Sequence, residues 1–173
     1  MDLYLNELSL GMPGMTSELG ATFAQAAAVC FDSQGHASGV ELIIRGQQGG
    51  SHLTHWTPIS NSMRSSWDDP TEATAFGAVG VAVLLADKLL GKQVFKRARI
   101  GTGFDYWLGN NDADSPDIFT TRFEVSGIRH GDDQAVDIRV NQKLKQTTRS
   151  SNDFPVVVIV VEFGRPQAKI ATH

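Results

Sequence analysis

Cysteine is nearly absent from this chain, and its scarcity already excludes several kinds of protein. The 173 residues include one cysteine, Cys30, which excludes a disulfide framework and a multi-cysteine zinc site. The chain also lacks an excess of positive charge, because its formal net charge is −4. A chain of this length buries about 70% of its unfolded surface and needs neither metal nor disulfide to form a core. We therefore expect residues 1–173 to form a single globular domain.

No segment is apolar over a sufficient length to predict a membrane span. The most apolar stretch, residues 73–86, has fourteen uncharged residues, whereas a spanning helix needs about 20. The first residues lack the basic and apolar regions of a signal peptide. The sequence therefore predicts a buried helix at 73–86, a cytoplasmic location and no membrane partner.

Familiar motifs for nucleophiles and phosphate loops are also missing. Neither a Gly-x-Ser-x-Gly element nor a cysteine–histidine pairing indicates a nucleophilic hydrolase. The run Gly101-Thr102-Gly103 does not open a helix and lacks a following Gly-Lys-Ser/Thr, so it predicts a turn or bulge. His52 and His55 fall on opposite faces of a regular strand, which makes them poor joint ligands.

Charge is distributed unevenly along the chain. Residues 1–90 carry three cations and nine acids, a net charge of −6, whereas residues 91–173 carry a net charge of +2. A locally basic second half is compatible with a nucleic-acid partner. The acidic first half is compatible with docking of a protein partner.

Periodicity and turn residues predict a mixed α/β fold. The run at 156–162 is β-branched almost throughout, which is typical of a strand buried on both faces. A helix at 133–146 precedes it, and a strand before that helix predicts a parallel crossover. We expect a central mixed sheet flanked by helices, with residues 1–60 as an N-terminal helix and hairpin elaboration. The predicted helices are 18–31, 71–90 and 133–146, and the predicted strands are 40–45, 53–57, 94–100, 104–108, 119–128 and 156–162.

Two acids interrupt apolar strand patterns. Asp105 lies in the predicted strand 104–108, and Glu124 lies in Phe-Glu-Val within the next strand. Burying an unpaired charge costs several kcal/mol. If the strands are antiparallel neighbours, the two carboxylates can converge on one oxygen-liganded cation such as Mg²⁺. The alternative is a solvated sheet face on which Arg99 or Arg122 pairs with the acids.

This arrangement resembles the restriction-endonuclease-like superfamily, which is named for its Pro-Asp…(Asp/Glu)-x-Lys motif. The resemblance covers residues 70–163 in the order helix–β–β–β–helix–β, with Asp105 at the motif's Asp, Glu124 at its Asp/Glu and Ser126 in its lysine slot. It implies that the acids hold Mg²⁺, with Mn²⁺ as a substitute, and that the substrate is nucleic acid. Glu72 matches an extra acid that some members place in the first core helix, although an interaction with the helix N-terminus also explains it.

The chain departs from the motif at two positions. Phe104 replaces the proline, and Ser126 cannot supply the positive charge of a lysine. Some members of the superfamily carry this lysine on the following helix. There Lys143 falls about 60° from the centre of the apolar face, while Lys145 points away. Lys143 is therefore the candidate catalytic lysine, unless it is an ordinary exposed helical lysine, and Ser126 at most orients a water.

The stretches 101–109 and 123–127 are also similar to those of a family of uncharacterised bacterial proteins, which implies no activity. The superfamily resemblance implies a magnesium-dependent nuclease, or an inactive nuclease-like protein, in restriction or anti-phage defence. Serine in the lysine slot favours the alternative, a non-catalytic interaction module or a subunit of a larger bacterial complex. Both expectations depend on how Asp105, Glu124 and Lys143 lie in the fold.

Overall fold

A single mixed sheet of eight strands organises the protein. The structure, a computed structural model, describes residues 1–110, 119–148 and 154–173. The sheet has the strand order β1-β3-β2-β8-β7-β6-β5-β4. In chain order the elements are β1 (Leu3–Tyr4), a 3₁₀ helix (Leu5–Leu10), α1 (Ser17–Ser33), β2 (Val40–Gly46), β3 (Gly50–His55), α2 (Asn61–Ser66), α3 (Pro70–Leu90), β4 (Val94–Arg97), β5 (Tyr106–Gly109), β6 (Thr121–Ile128), α4 (Asp133–Thr147), β7 (Val156–Glu162) and β8 (Gln167–Thr172).

Strand directions confirm the mixed α/β sheet that the sequence predicts. The strands β4, β5 and β6 form an antiparallel meander, and β6 then crosses through α4 to the parallel strand β7. All seven residues of β7 are buried, as its β-branched run predicts. The sequence did not predict β8, which pairs with β7 on one side and β2 on the other. Through β8, the N-terminal hairpin continues the same sheet.

The turn between β4 and β5 is longer than predicted. The predicted strand 94–100 ends at Arg97, and the predicted strand 104–108 begins only at Tyr106. Gly101 and Gly103 have φ values of 92° and 81°, a left-handed region that glycine enters without steric cost. Asp105 therefore lies just before β5, and its carbonyl accepts a hydrogen bond of 2.9 Å from the amide of Ala98.

One face of the sheet packs against α1 and α3. Asp69 caps α3 by accepting hydrogen bonds from two amides of its first turn, and the helix ends at Gly91 in the left-handed conformation. Among the described residues, α3 is long and apolar enough to cross a membrane, but 67% of its apolar window is buried inside the protein. This burial matches the core helix that the sequence predicts around residues 73–86.

The opposite face packs against α4. Val136 and Val140 of this helix form a small core with alternate valines of β7, and the side chain of Asp132 caps its first turn. Asp137 accepts hydrogen bonds of 2.9 and 3.1 Å from Arg45 on β2 and one of 3.0 Å from Lys169 on β8. These contacts fix α4 across the centre of the sheet, so that its other side chains reach β6.

Candidate active site

The candidate site lies where β6 extends beyond β5. The last residue pair between these strands is Tyr106 with Phe123, but β6 continues to Ile128 alongside β7. Asp105, just before β5, continues the contact with β6. Its amide donates to the carbonyl of Phe123 at 3.2 Å, and its Oδ2 accepts from the amide of Val125 at 3.0 Å. The carboxylate of Asp105 is therefore anchored at the open edge of the sheet.

The structure brings Asp105 and Glu124 together at this edge. Continuing the antiparallel register by one residue places Asp105 opposite Glu124, on the face that α4 covers. Glu124 is fully buried, whereas Asp105 is exposed. The expectation that Glu124 lies on a solvated face paired with an arginine is therefore wrong. Its partner is Lys143, because Nζ of Lys143 lies 2.5 Å from Oε1 of Glu124.

A second cation reaches β6 from the same face of α4. Arg139 lies one turn before Lys143, and its Nη1 donates to Oγ of Ser126 at 2.8 Å. Four helical residues rise about 6 Å, and two strand residues rise about 6.6 Å. Because these spacings nearly match, Arg139 faces Ser126 while Lys143 faces Glu124. The slot that holds serine instead of lysine is thus in contact with a guanidinium from α4.

The carboxylate of Glu124 is held in an electrostatically unfavourable place. Burial is the largest effect and raises the pKa of Glu124 to about 7. The hydrogen bond from Lys143 lowers this pKa, and the nearby negative charge of Asp105 raises it. Among the residues that the structure describes, Oε2 of Glu124 has no hydrogen-bond partner although it is buried. A proton or a cation bound at Oε2 would relieve both the missing contact and the repulsion.

Glu72 does not join the two acids. It is exposed in the first turn of α3, where its amide donates to Oδ1 of Asp69 at 2.8 Å. Within 1–110, 119–148 and 154–173, no group of three or more His, Cys, Asp or Glu side chains could hold a metal ion. The structure does not bring Glu72 into one group with Asp105 and Glu124, and its role as a third ligand stays a prediction. Its place near the helix N-terminus agrees with the electrostatic alternative.

A cleft of about 580 Å³ opens beside Asp105 and Ser126. Its walls come from the first turns of α3, the end of β6 and the side of α4. Gly127 makes this close approach possible, because a Cβ there would lie 2.5 Å from the carbonyl oxygen of Thr74 on α3. Asp105 is the single acid among the lining residues, which include the arginines Arg97, Arg129 and Arg139.

The sequence pattern did not single out these three arginines. They come from β4, the loop after β6, and α4, so their convergence depends on the tertiary fold. Two features of the sequence could have drawn attention to them. The second half of the chain has a net positive charge, and Arg139 precedes Lys143 by four residues on one helix face.

Comparison of this chain with protein-family models, with curated proteins and with solved structures gives no match. The function of the site is therefore argued from its own residues.

Proposed function

We propose that the protein hydrolyses phosphodiester bonds in nucleic acid with a divalent cation, Mg²⁺ or Mn²⁺, bound between Asp105 and Glu124. The observation that carries this proposal is the convergence of two carboxylates and Lys143 at the open edge of β6. The chain order α3-β4-β5-β6-α4-β7 also agrees with the order that the superfamily resemblance implies over residues 70–163.

The donor set suits a small, hard cation. Mg²⁺ binds carboxylate oxygens, uses one or two from the protein and keeps waters or substrate phosphates as its other ligands. Oε2 of Glu124 is buried and without a hydrogen-bond partner among the described residues, and Asp105 is exposed toward the cleft. Two acids with one unsatisfied oxygen thus fit a cation that also contacts a phosphate in the cleft.

Each residue of the site has a distinct role in this proposal. Lys143 holds Oε1 of Glu124, which leaves Oε2 for the cation, and its positive charge offsets the charge that develops on the phosphate. Arg139 orients the hydroxyl of Ser126, and this hydroxyl positions the attacking water. A bound cation would supply Lewis-acid polarisation of the phosphoryl oxygen and a lowered pKa for its water.

Incubation of purified protein with plasmid DNA, single-stranded DNA and RNA in Mg²⁺ or Mn²⁺ tests the proposal. We expect cleavage that needs the metal and disappears in Asp105→Asn, which keeps an acceptor for the amide of Val125. Glu72→Gln is the matched control, because it removes an acid outside the site, and it should cleave normally. Absence of cleavage on all three substrates with both metals would overturn the proposal.

An inactive nuclease-like protein that binds nucleic acid is the second candidate. The presence of two acids rather than three within the described residues, together with serine in the lysine slot, favours it. Such a protein would serve as an interaction module or a subunit of a larger complex. A cytoplasmic role in restriction or anti-phage defence remains a prediction for either candidate.

A further inference from the structure

We propose that the arginine-lined cleft binds one unpaired nucleotide next to the acid pair, so that the substrate is single-stranded or locally unpaired nucleic acid. This inference rests on the proposed function for the choice of a polynucleotide as ligand. It adds the strandedness of the substrate and the part of the site that selects it.

The charge of the cleft favours a phosphate. Three arginines and a single acid, Asp105, are among the lining residues. A guanidinium carries five N–H donors, and the one hydrogen bond described for Arg139 uses its Nη1. Arginine binds phosphate oxygens in a bidentate manner, and Arg129, which is exposed, lines the same cleft. The cleft thus offers donors and positive charge to a phosphate beside Asp105.

The remaining wall of the cleft is apolar and aromatic. It includes Phe76, a partly exposed residue of α3 whose ring lies 5.5 Å from that of Trp67 and 5.9 Å from that of Phe23. Tyr106 lines the same cleft with the guanidinium of Arg97 5.7 Å from its ring. A nucleotide combines a charged phosphate with a flat base, and bases stack on aromatic side chains regardless of sequence. The arginines therefore suit the phosphate, and the aromatic wall suits the base.

The size of the cleft restricts what can enter. At about 580 Å³ it falls within the roughly 300–1,000 Å³ of sites for small molecules and cofactors. One nucleotide fits such a volume, whereas a double helix does not. A paired base is stacked inside its duplex and reaches a pocket only after it has been unstacked. An unpaired nucleotide avoids this cost, so the cleft selects for it.

The cleft also continues past Asp105. A second cleft of about 540 Å³ shares Arg97, Asp105 and Tyr106 with the first and adds Arg99. Asp105 therefore lies between two adjoining clefts that both contain arginine. A strand that places one nucleotide against Phe76 can continue along this second cleft, which favours a polymer over a free mononucleotide.

Binding without hydrolysis tests this inference. Fluorescence anisotropy in EDTA would compare a labelled 12-nucleotide single strand, as DNA and as RNA, with the same strand in a duplex. We expect the single strand to bind about tenfold more tightly or better. Equal affinity for the strand and the duplex would overturn the inference, and the two single strands show whether the cleft distinguishes DNA from RNA.

Matched variants identify the cleft as the place of binding. Arg139→Gln keeps a donor for Ser126 but removes the charge, and it should reduce the slope of log K against log salt concentration by about 0.7. Lys145→Gln removes an equal charge from the exposed side of the same helix and serves as the control. Arg129→Gln provides a second cleft variant if Arg139→Gln does not fold. If the folded cleft variants reduce this salt slope no more than Lys145→Gln does, the inference is overturned.

The aromatic wall has its own test. Phe76→Leu keeps apolar volume but removes the ring, and it should weaken single-strand binding by about tenfold while duplex binding stays unchanged. Equal losses for single-strand and duplex binding would contradict a base-stacking role.

Failure of the proposed nuclease function would give a different result from failure of the cleft inference. Single-strand binding with these variant effects, but without metal-dependent cleavage, would leave the cleft standing and remove the nuclease activity.

Discussion

Nζ of Lys143 lies 2.5 Å from one carboxylate oxygen of Glu124, and the other oxygen of that carboxylate is buried without a hydrogen-bond partner among the described residues. A buried, half-satisfied acid is unfavourable on its own. Asp105, anchored by its bond to the amide of Val125, adds a second negative charge at the same place. The pair is therefore sensitive to protons and cations.

The first prediction concerns stability against pH. Burial raises the pKa of Glu124 from its ordinary 4.5 to about 7, so between these values the folded protein holds a proton that the unfolded chain has lost. This contribution to stability is complete below pH 4.5 and is lost as the pH rises through 7. Glu124→Gln mimics the protonated acid. We expect its advantage in unfolding free energy over the wild type to grow, by up to about 3 kcal/mol, between pH 4 and pH 8.5.

Urea unfolding of both proteins across this pH range measures the difference. Asp133→Asn, which removes an exposed acid at the start of α4, is the control and should not change the pH dependence in this way. A constant difference between Glu124→Gln and the wild type at all pH values would show that Glu124 is ionised in the same way in the folded and unfolded states.

The second prediction separates the two lysines of α4. Lys143→Ala should lower the turnover of metal-dependent cleavage by about 10²–10³, the size typical of losing one preorganised electrostatic donor. Lys145→Ala should leave turnover unchanged, because Lys145 is exposed on another side of the helix. Steady-state cleavage rates of a labelled oligonucleotide provide the comparison. Equal rates for Lys143→Ala and Lys145→Ala would remove Lys143 from the mechanism.

The third prediction concerns the contact between α3 and β6. A Cβ at Gly127 would lie 2.5 Å from the carbonyl oxygen of Thr74 and 3.0 Å from Cβ of Ala78. Because the nearest atom belongs to the backbone, Gly127→Ala forces the helix away from the strand and should cost about 1–3 kcal/mol of unfolding free energy. Thermal and chemical denaturation would measure this loss.

Gly49→Ala is the matched control for this substitution. Its added Cβ would meet nothing closer than 3.7 Å, so we expect almost no change in stability. If Gly127→Ala were as stable as Gly49→Ala, α3 could not pack against β6 as closely at Gly127 as the structure shows.

Local patterns were sufficient to predict most elements of the fold. The β-branched run of β7, the caps Asp69 and Gly91 around α3, and the crossover through α4 each have local causes in the chain. The strand β8 was missed because its sequence, Gln167–Thr172, alternates weakly. Its strand character comes from pairing with both β7 and β2, which are distant in sequence, so no local pattern reports it.

The candidate site was predictable in part for similar reasons. Helical geometry placed Lys143 at the edge of the apolar face, and the apolar strands made Asp105 and Glu124 conspicuous. The position of Glu72 depends on where α3 begins relative to β6, and the arginine cleft depends on three separate elements. Such relationships are tertiary, and sequence spacing does not contain them.

Thermal unfolding at pH 7.5 with increasing Mn²⁺ tests most directly the claim that Asp105 and Glu124 bind a divalent cation. Metal at 100 times its dissociation constant stabilises the folded state by about 2.7 kcal/mol, so the melting temperature of the wild type should rise by about 5–10 °C. Glu72→Gln should show the same rise, and Asp105→Asn and Glu124→Gln should show none. A wild type whose melting temperature does not respond, or an Asp105→Asn protein that responds equally, would contradict the account.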